Sequence, residues 1–222
     1  MKKIAIAIDG PAAAGKSTIA KKVAAHFNYV YIDTGAMYRA FTWYVINKGV
    51  DPQNEAACNV LIPEVTIRLT NKAEVYVNNT DVTTAIRQPD VSGNVSYIAS
   101  YAKIRAALTI EQRKMAENDN VVMDGRDIGS YVLPDAEVKI FQTASVKVRA
   151  YRRYLENQEK GIATTLEEIE KEIAMRDHID STRAAAPLVK AQDAIEVDTD
   201  DLTIDEVVAL IIEIVNKKLE TK

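Results

Sequence analysis

The sequence predicts an α/β fold of three layers, with a central parallel sheet between helices, and three observations support this prediction. Short apolar segments rich in β-branched residues alternate along the chain with segments whose apolar residues have helical spacing. Two neighbouring segments, "EVTIRL" and "EVYVNN", alternate polar and apolar residues around the turn sequence "TNKA", which indicates a small antiparallel insert. The first apolar segment leads directly into a glycine-containing loop and a helix, a junction typical of ligand sites in such folds.

The elements follow one another in a regular order. Buried strands are predicted for the segments "KIAIAI", "YVYID", "NVVMDG", "EVKIF" and "AIEVD". Helices are predicted for "STIAKKVAAHF", "GAMYRAFTWYVINKG", residues 95–117, "SVKVRAYRRYLENQEKG", "TLEEIEKEIAMRDHI" and "TIDEVVALIIEIVNKKL". The last two helices open with capping-box patterns, Thr165 with Glu168 and Thr203 with Glu206, and Gly49 can close the second helix.

Composition narrows the possible functions. The chain has 222 residues and a formal net charge of -4, which argues against a broad surface for nucleic acid or anionic membranes. Cys58 is its one cysteine, so no internal disulfide can form and a reducing cytoplasm is the expected location. We therefore expect a cytoplasmic enzyme or regulator, with neither nucleic acid nor a membrane as its partner. For its oligomeric state we assume a monomer, which composition does not decide.

The loop after the first predicted strand, "GPAAAGKST", matches the spacing G-x-x-x-x-G-K-[ST] of a phosphate-binding P-loop. Backbone N–H groups of such a loop, and of the helix that follows it, wrap a phosphate chain. Lys16 adds a mobile charge for the β- and γ-phosphates, and the Ser17 hydroxyl can ligate Mg²⁺. The sequence thus predicts a P-loop NTPase fold whose nucleotide is held by Gly10, Pro11, Ala12, Ala13, Ala14, Gly15, Lys16, Ser17 and Thr18.

Three uses of a P-loop compete: a GTPase-like switch, a motor-type ATPase and a kinase of small substrates. We find no guanine-reading or switch-loop pattern that would favour a switch. Arg149, Arg152 and Arg153 lie at helical spacing i, i+3 and i+4, and Arg176 and Arg183 follow on the next segment. These arginines fit either a solvated helix with glutamate partners or, beside a P-loop, a mobile lid that clamps phosphates. We favour the lid, and with it a kinase.

The segment "DTGAMYR" places charged and polar side chains at the end of a predicted strand, where open α/β sheets bind ligands. Asp33 and Thr34 lie at that strand end, and Arg39 lies on the helix that follows. Arg39 could clamp the phosphate of a second substrate through two hydrogen bonds. A capped helix start with a surface arginine is the alternative explanation.

The segment "VVMDGRDIG" ends another predicted strand with Asp124, Arg126 and Asp127. Asp124 or Asp127 could hold Mg²⁺ through water or orient a sugar hydroxyl, and Arg126 could bind phosphate. A plain β-turn is the alternative, because Asp-Gly is a common turn sequence.

Together these segments resemble one family, the bacterial cytidylate kinases. "IDGPAAAGKST", "DTGAMYR", "VVMDGRDIG", "RAYRR", the pattern "RD…D…R…APL" and "AIEVDT" occur in the family's order over nearly the whole chain, and the family also has the antiparallel insert. The resemblance implies reversible transfer of the γ-phosphoryl group of ATP, with Mg²⁺, to CMP or dCMP. The products would be ADP and CDP or dCDP.

The resemblance also implies roles for individual residues. The monophosphate substrate would be bound by Asp33, Thr34, Arg39, Ser96, Arg105, Asp124, Arg126, Arg176, Asp180 and Arg183. Transfer would depend on Lys16, Arg126, Asp127, Arg149, Arg153 and Arg183, and Mg²⁺ would be held by Ser17 with a water-mediated contact to Asp124 or Asp127. Asp180 would accept a hydrogen bond from the 4-amino group of cytosine and repel the oxygen that uracil carries there.

An organisation in three regions follows from the resemblance. Residues 1–35, 85–145 and 186–222 would form the core with the P-loop, residues 36–84 the monophosphate-binding region with the insert, and residues 146–185 the lid. Two other functions remain open. One is a P-loop kinase of another small metabolite, of the shikimate or gluconate type, although such kinases are usually shorter and lack the insert. The other is a nucleotide-gated regulatory module with slow or absent turnover.

Overall fold

The computed structural model describes residues 3–70, 73–159 and 161–220. Parts of some predictions fall outside these ranges, namely residues 1–2 and 221–222 of the core, residues 71–72 of the turn "TNKA", and residue 160 of one helix. By compactness the chain divides into two units. The first unit joins the chain up to Tyr31 with the chain from Asp119 onward, and the second is Ile32–Asn118.

The described residues contain eight strands and eight α-helices. The strands are β1 (Ala5–Asp9), β2 (Val30–Asp33), β3 (Ile67–Leu69), β4 (Val75–Val77), β5 (Thr80–Asp81), β6 (Val121–Gly125), β7 (Val138–Thr143) and β8 (Ile195–Asp198). The helices are α1 (Lys16–Phe27), α2 (Thr34–Asn47), α3 (Glu55–Val60), α4 (Pro89–Ser100), α5 (Ala102–Asn118), α6 (Val146–Glu159), α7 (Leu166–Thr182) and α8 (Ile204–Glu220). None of the helices in these ranges is both long enough and apolar enough to cross a membrane.

The central sheet has five strands in the order β2-β6-β1-β7-β8. Strand β1 pairs in parallel with β6 and β7, and β7 pairs in parallel with β8. Strands β1 and β6 are buried on both faces, which explains why their sequences are mostly apolar. Ile6 and Ile8 of β1 pack with Val23 of α1 and Ile211 of α8 in the main core. The predicted parallel sheet is confirmed. Strand β1 ends directly before the P-loop, and strand β6 is the segment "VVMDG".

The second unit contains the predicted antiparallel insert. Strand β4 pairs with β3 and β5, so the insert has one strand more than the two that the sequence indicated. The turn sequence "NNTD" forms the tight turn into β5, where Asn78 and Asn79 have φ of 47° and 70°. Val75 and Val77 of β4 pack on the Ala36 and Ala40 side of α2. The insert therefore completes a small core of its own around α2.

Several helix predictions are confirmed and others need correction. Both capping boxes form. The hydroxyls of Thr165 and Thr203 accept hydrogen bonds from the backbone N–H groups of Glu168 and Glu206, and the backbone N–H groups of the two threonines donate to the two glutamate carboxylates. The single helix predicted for residues 95–117 is instead two, α4 and α5, because the backbone of Tyr101 is extended. Helix α3 was not predicted; it is short and starts at an N-cap, Asn54.

Helices α6 and α7, which span most of the predicted lid, pack on each other through Ala150, Ile169 and Ile173. The compact second unit continues to Asn118, whereas the predicted monophosphate region ends at residue 84. Compact units and functional regions are different divisions of a chain, so the division into three functional regions stays a prediction.

Candidate active site

The two glycines of the P-loop each have a steric reason to be there. A Cβ atom on Gly10 would overlap the backbone carbonyl of Gln142, so the loop can pass β7 only without a side chain at this position. Gly15 precedes α1 in the left-handed conformation, with φ of 82°. Ala13 between them also has a positive φ, 58°, although it carries a side chain. The predicted strand, loop and helix junction is confirmed.

Lys16 is buried at the start of α1, and its Nζ donates a hydrogen bond to the carbonyl of Pro11 at 2.6 Å. Burial, followed by the nearby charge of Arg126, lowers the pKa of the Lys16 ammonium below its usual value. The carboxylates of Asp124 and Asp9 act in the opposite direction. A bound anion would offset the repulsion between the positive charges of Lys16 and Arg126, which fits a phosphate-binding role.

Asp124 lies at the end of β6 and connects two side chains. Its Oδ2 accepts a hydrogen bond from Ser17 Oγ at 2.9 Å, and its Oδ1 accepts one from Tyr31 Oη at 2.8 Å. The adjoining oxygens of Ser17 and Asp124 are of the hard type that Mg²⁺ prefers. Within the described ranges, no group of three or more His, Cys, Asp or Glu could hold a metal. Mg²⁺ needs no such cage, since it keeps waters and takes phosphate oxygens as ligands.

A chain of alternating charges follows "VVMDG". Arg126 Nε donates to Asp180 Oδ2 at 2.9 Å, and Arg183 pairs with Asp180 and with Asp127, at 3.5 Å each. Burial raises the pKa of Asp180, but Arg126 and Arg183 outweigh burial and the pKa lies below its usual value. Asp180 is therefore ionised at neutral pH. Arg176, also on α7, lies 3.8 Å from Glu172 and adds to the positive charge around Asp180.

Asp9, the last residue of β1, is a buried carboxylate that sequence reasoning missed. Its two oxygens accept hydrogen bonds from the backbone N–H groups of Ile128 and Gly129, at 2.8 and 2.7 Å. Burial raises the pKa of Asp9 to about 6, against the lowering effect of those two hydrogen bonds. These residues begin a π-helical turn, Ile128–Val132. The alternative of a plain β-turn at Asp-Gly is wrong, because Asp124 and Gly125 are the last residues of strand β6. Asp9 thereby anchors the segment that carries Asp127.

The arginines of α6 share a helix but contact different groups. Arg149 is buried, and its guanidinium donates to the carbonyls of Ala144 and Ala12. Arg152 donates to the hydroxyl and carbonyl of Thr199, after β8. Arg153 is partly exposed and lies 3.5 Å from Glu156 on its own helix. Arg149 reaches the P-loop, whereas Arg153 has the glutamate partner expected of a solvated helix.

The second unit gathers another charged group at the start of α2. Asp33 caps this helix by accepting the N–H of Ala36 at 2.8 Å, and its other oxygen pairs with Arg39 at 3.0 Å. Arg87, which sequence reasoning missed, lies 4.0 Å from the same oxygen. Gly35 leaves room for this pair, because a Cβ there would lie 3.1 Å from Arg39 Nη1. The capped helix start that was the alternative explanation is therefore present, and Arg39 also lies in a group of charged side chains as the phosphate-binding prediction requires.

Ser96 and Arg105 are buried on α4 and α5. Arg105 Nη1 donates to the carbonyl of Ala99 at 2.9 Å, and its guanidinium lies 5.3 Å from the ring centre of Tyr38. The helix break at Tyr101 puts Arg105 in the first turn of α5. Buried placement makes Ser96 more than a helix-surface serine, although its part in substrate binding stays a prediction.

The structure brings the predicted residues together in two groups. Within the first unit, charge interactions join Lys16 to Asp124, Arg126 and Asp180. Within the second unit, Asp33 and Arg39 form one pair beside the buried Thr34. The missed residues Tyr31, Asp9 and Arg87 share one property: each meets its partner through the fold. Local spacing therefore carried no signal for them.

Comparison with known proteins shows which family this chain resembles in sequence. A sequence model of the family described as cytidylate kinase matches residues 6–217. The cytidylate kinase of Bacillus licheniformis is 55% identical over 223 residues, which cover 99% of this chain and 99% of that protein. The cytidylate kinase of Halalkalibacterium halodurans is 51% identical over 222 residues, which cover 99% of this chain and 100% of that protein.

Solved structures share the fold at low identity. A gluconokinase from Sinorhizobium meliloti has a TM-score of 0.53 and 11% identity, with 100% of this chain and 96% of that chain covered. At such identity the likeness concerns the fold alone and does not favour the gluconate-kinase alternative. The family match and the two cytidylate kinases extend over almost the whole chain, including the P-loop and the charged segments described above, and the chain belongs to the cytidylate kinase family.

Proposed function

We propose that the protein transfers the γ-phosphoryl group of ATP to CMP or dCMP, producing ADP and CDP or dCDP. One observation carries this proposal: Lys16 is buried at the P-loop, where burial first and then repulsion by the charge of Arg126 lower the pKa of its ammonium. A bound anion relieves this repulsion, and a phosphoryl group in transfer between two phosphates is such an anion. Phosphoryl transfer needs mainly positioning and neutralisation of charge, which these side chains supply.

ATP binding is assigned to the loop from Gly10 to Thr18. Its N–H groups and the start of α1 would hold the polyphosphate, and Lys16 would contact the β- and γ-phosphates. Ser17 and Asp124 would hold Mg²⁺, since their oxygens already adjoin at 2.9 Å. When bound, that ion neutralises phosphate charge.

The acceptor phosphate is assigned to arginines. Arg126 and Arg183 are held in place by Asp180 and Asp127, so less side-chain freedom is lost when they bind an anion. An acceptor phosphate oxygen is already ionised at neutral pH, so the transfer needs no general base. Asp180, kept ionised by its arginines, can only accept hydrogen bonds, and it would therefore favour cytosine with its amino group over uracil.

The rest of the acceptor site is proposed on the second unit. Thr34, Arg39, Ser96 and Arg105 are buried or partly buried there, and Arg39 is the cation that Asp33 orients. Arg176 would add a further contact to the pyrimidine. The division into core, monophosphate-binding region and lid is kept as part of this proposal, as is a monomer in the cytoplasm, where a free buried Cys58 stays reduced.

An ADP-release assay tests the proposal with CMP, dCMP, UMP, AMP, shikimate and gluconate as acceptors. We expect CMP and dCMP to give the highest kcat/KM, with UMP lower by about tenfold or more, which is what one mismatched buried hydrogen bond costs. A higher kcat/KM for shikimate or gluconate would assign the protein to another kinase class. Tight ATP binding without turnover on any acceptor would indicate a regulatory module.

A further inference from the structure

A carboxylate of the lid helix α7 contacts the nucleotide loop and lies outside the set of residues assigned above. Asp177 Oδ1 accepts a hydrogen bond from the backbone N–H of Ala12 at 3.2 Å. Asp177 Oδ2 forms an ion pair with Arg149 Nη1 at 2.7 Å. Arg149 Nη1 also donates to the carbonyl of Ala12 at 2.9 Å. The three residues form a closed ring that holds both backbone polar groups of Ala12.

This ring acts on a strained part of the loop. Ala13, the next residue, has φ of 58°, and the left-handed backbone is unfavourable for a residue that carries a Cβ. Such a conformation persists only where its surroundings hold it. The carbonyl of Pro11 is held by Lys16, and the Ala12 backbone is held by the ring, so the strained residue is fixed from its N-terminal side.

The same ring sets the orientation of Arg149. Its Nε donates to the carbonyl of Ala144 at 2.8 Å, and its Nη1 is shared between Ala12 and Asp177. Among the described residues, Nη2 of Arg149 has no hydrogen-bond partner. The side chain is only 4% exposed. The guanidinium therefore has a fixed orientation and contacts the loop through Nη1.

We propose that Asp177 is a positioning residue for phosphoryl transfer, which orients Arg149 towards the bound polyphosphate and fixes the P-loop at Ala12. The inference rests on the proposed function, because it assumes that the loop binds ATP. Arg149 is the residue that touches the phosphate, and Asp177 acts through it. The neighbouring Arg153 has no such support, since its described ion pair is with Glu156.

A double-mutant cycle tests this inference with D177N, R149Q and the double variant. The amide in D177N keeps an oxygen for the Ala12 N–H but loses the negative charge that orients Arg149. We expect D177N to lower kcat about 10- to 100-fold, as misplacement of a catalytic group does, while KM for CMP stays within about threefold. Because both residues act as one unit, the double variant should match R149Q within about twofold.

The matched control is E167Q, which removes one negative charge from the same helix. Glu167 is exposed and pairs with Lys171 at 2.8 Å. E167Q should leave kcat within about twofold of the unchanged protein, because exposed pairs contribute little. If E167Q lowered kcat as D177N does, net charge on the helix would explain the effect and the inference would be wrong.

ATP affinity, measured by calorimetry, gives a readout that needs no acceptor. D177N and R149Q should each weaken ATP binding about three- to tenfold, and their effects should again not add. Tighter ATP binding in D177N would show that the carboxylate competes with phosphate, which overturns the inference. The inference would also be overturned if the effects of D177N and R149Q multiplied in the double variant, or if D177N lowered the melting temperature and left kcat unchanged. A failure of the proposed function would look different, since the unchanged protein would then reject CMP while the ATP cycle remained measurable.

Discussion

The charged groups of the two units are built in different ways. In the first unit, Asp180 and Arg183 are almost fully buried and each has more than one charged partner. In the second unit, Asp33 caps a helix and pairs with Arg39, whose side chain is 20% exposed, while the second arginine near it, Arg87, is 55% exposed. The first group is a network inside the fold, whereas the second is a helix cap with arginines around it.

The difference concerns what each group can do before a ligand arrives. Buried charges with several partners keep their positions and ionisation, so they can stabilise charge that develops during transfer. A helix cap with partly exposed arginines orients its cations less strictly, which suits recognition of a phosphate that is already formed. We therefore expect substitutions in the first unit to change kcat, and substitutions in the second to change mainly KM.

The largest effect is expected at Lys16. Lys16→Met keeps the aliphatic stem in its buried place but removes the cation, so kcat should fall about a thousandfold or more. Circular dichroism should show that the fold is retained. Lys22→Met is the matched control on the same helix, because Lys22 pairs with Asp205 at the surface. Near-normal turnover in Lys16→Met would remove the P-loop from the mechanism.

Asp180→Asn sharpens the comparison within the first unit. The amide presents a donor as well as an acceptor, so the ratio of kcat/KM for CMP to that for UMP should fall about tenfold. Total activity should also fall, since Arg126 and Arg183 lose their shared carboxylate. Asp127→Asn also weakens an Arg183 pair, but it should leave the CMP to UMP ratio unchanged. A ratio that is equal in both variants would exclude Asp180 from base reading.

Arg39→Ala probes the second unit. Loss of a charge-assisted hydrogen bond to phosphate should raise KM for CMP about tenfold, with kcat changed less than about threefold. Arg87→Ala, which removes the more exposed arginine beside the same aspartate, should change KM less than about twofold. Should kcat rather than KM fall in Arg39→Ala, the proposed contrast between the two units would fail.

Asp9→Asn tests the buried anchor of the first unit through pH. The pKa of Asp9 is raised by burial to about 6, so its charged form is disfavoured in the folded protein relative to the unfolded chain. This group therefore adds stability that is present at low pH and lost as pH rises through 6. Between pH 7 and pH 5, the unchanged protein should gain about 1 kcal/mol over Asp9→Asn in free energy of unfolding. The free energies of unfolding are measured by urea denaturation at both pH values. An equal difference between the two proteins at pH 7 and at pH 5 would contradict this pKa.

Arg153→Ala should have the smallest effect. Its side chain is 36% exposed and pairs with Glu156, so removal should lower kcat only about threefold. We still expect kcat to fall more than CMP binding weakens, as a lid residue acting on developing charge would cause. Glu156→Gln is the control for loss of the ion pair alone. A drop in kcat as large as in R149Q would make Arg153, too, a principal lid arginine.

Much of the site follows from local pattern. The P-loop and its glycines, the strands that carry Asp33 and Asp124 near their ends, and the two capping boxes were predicted from spacing and residue type, and the structure contains them. These features depend on neighbours within a few residues, so the sequence carries their full signal. The helix break at Tyr101 is an exception, because apolar spacing continues across it.

Asp9, Tyr31 and Asp177 were not predicted because their partners are distant in the chain. Ala12 and Asp177 are 165 residues apart, and Tyr31 and Asp124 are 93 residues apart. No periodicity relates positions so far apart. Helical spacing puts Arg149 and Arg153 on the same face of α6 and therefore cannot rank them.

The order and types of the residues were enough to predict the alternation of strands and helices, the phosphate loop and the clustered arginines. The reason is that the periodicity of apolar residues and the conformational freedom of glycine act over short distances along the chain. The contacts of α6 and α7 with Ala12 of the P-loop decided which arginine meets the loop and which carboxylate pairs with that arginine. The physical reason is that the position and ionisation of a charged side chain depend on its buried partners, and tertiary packing determines which residues those partners are.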